Sequence, residues 1–393
     1  MALMISLVAL SIDAMLPALP AIGLDLDVQR ENGTQLVIGS MFVGFAVGQL
    51  VFGPLSDSFG RKPPIYVGLG IFMIGSILAM GATTFEVLLA GRILEGFGAS
   101  APRSVTVALV RDHFEGRAMA RIMSFIMAVF IIVPIVSPAL GQAVLFVADW
   151  RMIFALLLVL SLVALVWFGL RQPETLPPNR RSRLSLRQIG LDVAEVLRNR
   201  CALGYTISAG LVSGAFIGYL SSAQQIFQAQ FQLGTRFPLY FAALAVSVGC
   251  ASLLNARLVM RYGMRILAWR ALQSMSILSI GYFLYAWGQG GTPSLMTMMI
   301  WGLLTFFSVG LLFGNFNAMA IESLGHIAGS ASAVIGSVST AISLVLGIAI
   351  GQAYDGTVLP LVGGFALLGL ASMGTMYLTE RIDTSAVNSP IDD

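Results

Sequence analysis

Apolar runs long enough to cross a bilayer recur along almost the whole chain, and this limits the fold more than any other feature. A span needs about twenty mainly apolar residues. Twelve such runs can be marked, at roughly 2–22, 35–55, 64–82, 86–109, 121–147, 152–170, 201–221, 237–256, 266–288, 294–320, 329–351 and 359–379. In hydrocarbon every backbone polar group needs a partner within the protein, so runs of this length read as helices. Composition agrees, with 57% of residues hydrophobic and 10% charged, whereas a water-soluble domain carries about a quarter charged. The expected fold class is an all-α membrane protein of about twelve transmembrane helices.

The basic residues set the orientation. Arg61, Lys62, Arg111, Arg117, Arg121, the stretch from Arg171 to Arg200, then Arg257, Arg261, Arg265 and Arg381 all fall in alternate gaps between runs. The other gaps hold only Arg30, Arg151 and Arg236. By the positive-inside rule the rich set is cytoplasmic, and an even number of spans puts both termini inside. Basic residues spread in this way mark topology, not a nucleic-acid surface. The first run lacks a basic leader and a clear cleavage site, so it reads as a retained helix.

The longest gap, 171–200, divides the runs six and six. The expected organisation is a half at 1–170, a cytoplasmic linker at 171–200, a second half at 201–380 and a tail at 381–393. Residues 184–197 space their apolar side chains as an amphipathic helix on the inner leaflet would. Phe59-Gly60 after the second run and Tyr262-Gly263 after the eighth sit among basic residues at matching places, a weak internal repeat. Two repeated halves suggest a transporter with its site between them. Cys201 and Cys250 read as small buried residues, not as a disulfide or a metal site.

Few ionisable residues interrupt the runs. Asp13 lies inside the first, where a charge costs about 2.5–3.5 kcal/mol on insertion scales. It is expected to face a cavity and exchange a proton, or else to snorkel to the outer surface. The fourth run holds Arg92, Glu95 and Arg103. Glu95 follows Arg92 by three residues and is placed to pair with it; Arg103 follows Arg92 by eleven and shares its face. Either they line a water-filled interior or they fix helix packing. Pro134, Pro138 and Gly141 form one stripe on the fifth run, suited to a bent, closely packed hinge or seal. Asn315 in the tenth run faces a cavity in this reading, while Glu322 reads as a solvated edge residue.

No phosphate-binding loop is present, since Lys62 is the only lysine and follows Arg61. No zinc-protease motif or cysteine ligand set appears, and two histidines leave little room for a catalytic triad. The chain reads as no enzyme and as needing no cofactor. Its energy is expected from an ion gradient, the substrate's own gradient or a partner chain.

Several segments together resemble the major facilitator superfamily, and within it the Bcr/CflA group of drug:proton antiporters. Ser11-Ile-Asp13-Ala-Met-Leu-Pro17-Ala-Leu-Pro20 is similar to that group's first helix. Gly-Gln49-Leu-Val-Phe-Gly53-Pro-Leu-Ser-Asp57-Ser-Phe-Gly60-Arg61-Lys62-Pro matches the signature after its second. Gly91-Arg92 resembles the arginine site of the fourth helix, and Pro134-Ile-Val-Ser-Pro138-Ala-Leu-Gly141 the antiporter motif of the fifth. Asp149-Trp-Arg151, Glu174-Thr-Leu-Pro-Pro178 and Asn317-Ala-Met-Ala-Ile-Glu322 with His326-Ile-Ala-Gly329-Ser-Ala-Ser332 recur in similar places.

The resemblance implies a proton-driven exporter working by alternating access in a bacterial inner membrane, as a monomer, with the proton as coupling ion. Asp13 would carry the proton and Arg92 would be its electrostatic partner. Glu95 stands where many relatives have an uncharged polar residue, which adds a second acid. Gly53, Asp57, Gly60, Arg61 and Lys62 would form a cytoplasmic gate, with Arg111 or the start of the eleventh helix receiving Asp57. Small lipophilic or amphiphilic substrates would meet a pocket lined by residues such as Met127 and Phe130, with Arg103 and Asn315 as polar contacts. The same fold would also serve a proton-coupled importer of a metabolite; a membrane sensor that moves nothing is a rival of another class.

Overall fold

The structure is a computed structural model that describes residues 1–30, 32–114, 116–181 and 184–387. The side chains at 111, 116–118, 120–121, 123–124, 127, 130, 180, 186, 328 and 382–387 lie outside that description.

Every expected run falls on a helix. The first is broken. Helix α1 (Ala2–Asp13) stops immediately after the acid, a short 3-10 turn covers Leu16–Ala18, and α2 (Leu19–Asp25) resumes. Pro17 and Pro20 lack the N–H groups that would continue the ladder, which accounts for the break. Five helices complete the first half: α3 (Leu36–Phe59), α4 (Lys62–Met80), α5 (Phe85–His113), α6 (Gly116–Val147) and α7 (Arg151–Arg171). The linker folds as α8 (Leu186–Arg198), within two residues of the expected amphipathic segment. The second half is α9 (Arg200–Gln224), α10 (Phe237–Tyr262), α11 (Met264–Gly288), α12 (Leu295–Glu322), α13 (Ala328–Gln352) and α14 (Leu359–Val387). Helix α14 thus continues through the first residues of the expected tail. A π-helical turn over Gln225–Gln230 extends α9.

Among the described residues, nine of these helices are long and apolar enough to cross a membrane by length and composition. The charges of α5 lower its mean hydropathy. The weak repeat has a structural counterpart: Gly60 (φ 100°) ends α3 and Gly263 (φ 80°) ends α10. Both occupy the left-handed region that glycine enters without strain, so each half makes the same sharp turn into its next helix. Cys201 is half-buried and Cys250 exposed on α10. This corrects their reading as buried residues; the lipid-facing side of a membrane helix is apolar too, so an apolar run cannot tell the two environments apart.

Within the first half α5 packs on α3 and α4, and α1 on α5, α6 and α7. Within the second, α9 packs on α12, α13 and α14, and α12 on α10 and α11. The halves meet where α3 lies along α13 and α6 along α10, while α9 approaches the turn at Leu16–Ala18. Polar groups stitch the α3–α13 seam. Ser337 Oγ donates to the Ala46 carbonyl at 2.7 Å and Gln49 Nε2 to Thr340 Oγ1 at 3.2 Å. At the end away from the arginine-rich turns, Asn32 Nδ2 donates to the carbonyls of Gln352 (3.1 Å) and Tyr354 (2.9 Å). Gln352 Nε2 donates back to the Asn32 carbonyl at 2.8 Å and Gln225 Nε2 to Asn32 Oδ1 at 2.8 Å. Gln35 also bonds Gln225. The hydrogen bonds named here, which clasp the halves together, join amide and carbonyl groups.

Helix α6 runs unbroken through Pro134 and Pro138. At Gly141 it touches the break in the first span: a Cβ there would collide with the Ala14 carbonyl oxygen. Gly141→Ala is therefore expected to force α6 away from Ala14 and destabilise the protein by about 1–3 kcal/mol. A thermal melt of the purified protein, beside a Gly281→Ala control whose site has nothing within 4 Å, checks this; equal melting temperatures for the two would contradict the close contact.

Candidate functional site

Asp13 closes α1 deep in the bundle, with 4% of its surface exposed. It does not snorkel to the outer surface. It makes no hydrogen bond or salt bridge among the described residues, and it lies close enough to Tyr219 of α9, in the other half, to act on it electrostatically. The acid therefore stands at the junction of the halves, beside the helix break and the Gly141 contact.

Arg92 and Glu95 are fully buried and pair with each other, Nη1 to Oε2 at 2.6 Å. The spacing of three residues placed them to do so. Every remaining group of the pair is also engaged. Arg92 donates to Ser11 Oγ (2.8 Å), the Ser11 carbonyl (3.0 Å), the Val37 carbonyl (3.2 Å) and Met41 Sδ (3.1 Å). Its guanidinium lies 5.9 Å from the Phe154 ring centre. Ser76 Oγ donates to the other Glu95 oxygen at 2.6 Å. The structure does not bring Arg92 to Asp13, as the resemblance implied. It binds the backbone of Ser11, two residues away, and so fixes the position of α1 instead of neutralising its acid.

Of the expected pocket residues, Arg103 and Asn315 have described side chains. Arg103 is half-buried on α5. The side chains of Met127 and Phe130 lie outside the described residues. Asn315 is buried, but its amide is committed: Nδ2 donates to Asn255 Oδ1 at 2.9 Å and to the Leu311 carbonyl at 2.9 Å, and Asn255 Nδ2 donates back to Oδ1 at 3.3 Å. It joins α12 to α10 in this structure and does not face a cavity.

The gate segment is the best-connected part of the molecule. Arg61 is buried between two acids, with Nη1 2.5 Å from Asp57 Oδ1 and Nε 2.8 Å from Asp112 Oδ2. Burial opposes its charge, but Asp112 and Asp57 together hold the guanidinium above its ordinary value. Nη1 also donates to Ser56 Oγ at 3.0 Å. Lys62 Nζ donates to the Gly169 carbonyl at 3.3 Å. Gly53 faces Ala333 of α13, and Asp57 Oδ2 lies 3.8 Å from where a Cβ at Gly329 would be. The carboxylate thus sits beside the start of α13, whose N-terminal dipole favours an anion. The side chain of Arg111 lies outside the described residues; the acid that follows it, Asp112, supplies the link to α5.

Glu174 binds this turn from the linker. Its carboxylate accepts the backbone N–H groups of Arg61 (2.8 Å), Lys62 (3.0 Å), Thr175 (2.9 Å) and Leu176 (3.0 Å). A Cβ at Gly60 would stand 2.7 Å from Glu174 Oε2, so only glycine fits both the turn and the acid. Sequence reasoning placed Glu174 in a recurring segment without a role; nothing in the sequence joins residues more than a hundred positions apart. On the same side, Glu195 of α8 lies 2.7 Å from His326 Nε2, tying the linker to the second half.

Burial pushes the Glu174 carboxyl up, but its four N–H donors together hold it below the usual carboxylate value. With a lowered folded pKa, the stabilisation is full above the unfolded value of about 4.3 and is lost as pH falls through the folded one. Glu174→Gln should then melt below the wild type at pH 7, with the difference shrinking below about pH 4. Equal melting at pH 7 would show that the carboxylate does not hold the gate loop.

Comparison with known proteins agrees with this architecture. The family described as Major Facilitator Superfamily matches residues 1–348. A bicyclomycin resistance protein homolog of Haemophilus influenzae is 28% identical over 382 residues, covering 94% of this chain and 92% of its own. Multidrug resistance protein D of Escherichia coli is 26% identical, covering 82% and 79%. Among solved structures, the human organic anion transporter MFSD10 aligns with a TM-score of 0.68 at 19% identity, over 96% of both chains. The Escherichia coli xylose transporter XylE, in a partially occluded inward-open conformation, aligns with 0.72 at 11% identity, over 96% of both. These two share the fold. The chain is a multi-pass membrane protein and belongs to the Major Facilitator Superfamily, a family of transporters and not of enzymes.

Proposed function

We propose that this chain exports small drug-like molecules across the bacterial inner membrane in exchange for protons, by alternating access between its two halves. The observation that carries the reading is Asp13, a buried carboxyl at the junction of the halves with no cation beside it among the described residues. The names of the relatives, bicyclomycin and multidrug resistance, supply the substrate class. In this reading both termini are cytoplasmic, and the turn around Arg61 lies at the inner face.

A neutral, protonated Asp13 tolerates a closed, dry junction. A charged Asp13 favours an arrangement that hydrates it or brings a cationic group. The proton thereby biases which way the halves open, and a substrate that binds best to the opposite arrangement is driven against it. Coupling exists only because the two ligands prefer different states. Arg92 and Glu95 neutralise each other and hold α1 in register, so the proton-carrying role falls to Asp13. The contact of Gly141 with Ala14 keeps α6 sealed against the junction. The cluster of Asp57, Arg61, Asp112 and Glu174 latches the inner end.

Inside-out vesicles with an acidic lumen test this, using a panel of lipophilic dyes and antibiotics. Wild-type protein should accumulate panel members under the gradient, and Asp13→Asn should reduce that uptake by at least about tenfold. Uptake in Asp13→Asn with unchanged gradient dependence would remove Asp13 as the carrier and leave Glu95 as the next acid. If the wild type moves no panel member in any gradient, or moves them along with the proton, export by exchange is wrong.

A further inference from the structure

The wall opposite Asp13 is a cluster of rings contributed by the second half. Tyr219 on α9 stacks on Phe241 of α10, with centroids 5.6 Å apart and planes 21° apart. It also meets Phe306 of α12 edge-on at 4.6 Å. Phe216, three residues earlier on the same face of α9, packs on Phe306 at 5.8 Å and on Phe313 at 5.5 Å, the latter at 87°. Tyr219 and Phe306 are buried, while Phe216 and Phe313 are half-exposed. The cluster thus combines two partly accessible rings, Phe216 and Phe313, with a buried tyrosine packed against the same Phe306.

The tyrosine hydroxyl is the anomaly. It is buried and has no hydrogen-bond partner among the described residues. A buried donor left unsatisfied is destabilising, and buried tyrosines ordinarily find a partner. A phenylalanine would fill the same space in the ring cluster without that penalty. The rings account for the aromatic body of residue 219; they do not account for its oxygen. Asp13, across the junction, is near but not bonded to it.

We propose that Tyr219 recognises substrate: its hydroxyl donates a hydrogen bond to an acceptor oxygen on a flat-ringed molecule whose ring packs against Phe216 and Phe313. This rests on the export reading and narrows it to a substrate class. An aromatic cluster accepts many flat rings, because every ring has a π-face and an edge that these side chains complement. The tyrosine hydroxyl then selects among them. A ligand with a correctly placed carbonyl or ether oxygen satisfies the hydroxyl, and one without leaves it unpaired.

The test compares wild type with Tyr219→Phe in the same vesicles, using two flat dyes. Rhodamine 6G carries an ester carbonyl and ethidium has no oxygen acceptor. KM for rhodamine 6G should rise about fivefold to tenfold with kcat little changed, while KM for ethidium moves by less than about twofold. The substrate-free variant should melt at or above the wild-type temperature, since an unsatisfied hydroxyl has been removed. A lower melting temperature with equal losses for both dyes would mean that the oxygen serves packing. A shifted pH profile with no discrimination between the dyes would assign it to Asp13. Unchanged kinetics would leave the export reading standing and remove Tyr219 from recognition. Failure of the wild type to move either dye refutes the flat-ring class, and the export reading falls as well only if the whole panel fails.

Discussion

The first half of the molecule is organised by one ion pair that never meets water. Arg92 and Glu95 sit on α5, the helix on which α3 and α4 pack, and their hydrogen bonds reach three other helices. Isolated charges do not survive in such surroundings; removing one partner of a buried pair costs about 3–5 kcal/mol because the other is left uncompensated. The pair is tolerable only because Ser11, Val37, Met41 and Ser76 occupy its remaining donors and acceptors. That requirement fixes α1, α3 and α4 relative to α5 within hydrogen-bond tolerance. A half held in this way suits the rigid-body movement of the proposed function.

Against that frame Asp13 makes no hydrogen bond or ion pair among the described residues. Two residues before it, Ser11 is clamped; one residue after it, the helix breaks. The backbone that carries the acid is thus held on one side and released on the other. Across the junction the acid lies near the unpaired hydroxyl of Tyr219. A charge change there has nothing close by to absorb it except a change in how the halves meet.

Much of this was legible in the sequence, and the limits follow from geometry. Apolar run length gave every helix, because lipid imposes one length on any span. The pairing of Glu95 with Arg92 was readable because three residues on a helix are spatial neighbours. The matching turns at Gly60 and Gly263 were visible as aromatic-glycine pairs among basic residues. What the sequence left open is contact between distant spans. Nothing in it joined Asp112 to Arg61, the link the structure shows. Asn315 looked free for a cavity because its partner, Asn255, is on another span. Cys250 looked buried because lipid-facing and core-facing positions have the same polarity.

The clasp of Asn32, Gln35, Gln225 and Gln352 differs in kind from the latch at the opposite end. Carboxylates and guanidinium groups respond to ions, to acidity and to the surface potential of anionic lipid, all of which act on charge. Amides offer those fields no net charge to grip. The named bonds of the clasp contain no group that gains or loses a proton between acid and neutral pH, so acidity acts on the two ends of the molecule unequally: it can loosen the carboxylate latch while it leaves the protonation of the amide clasp as it was.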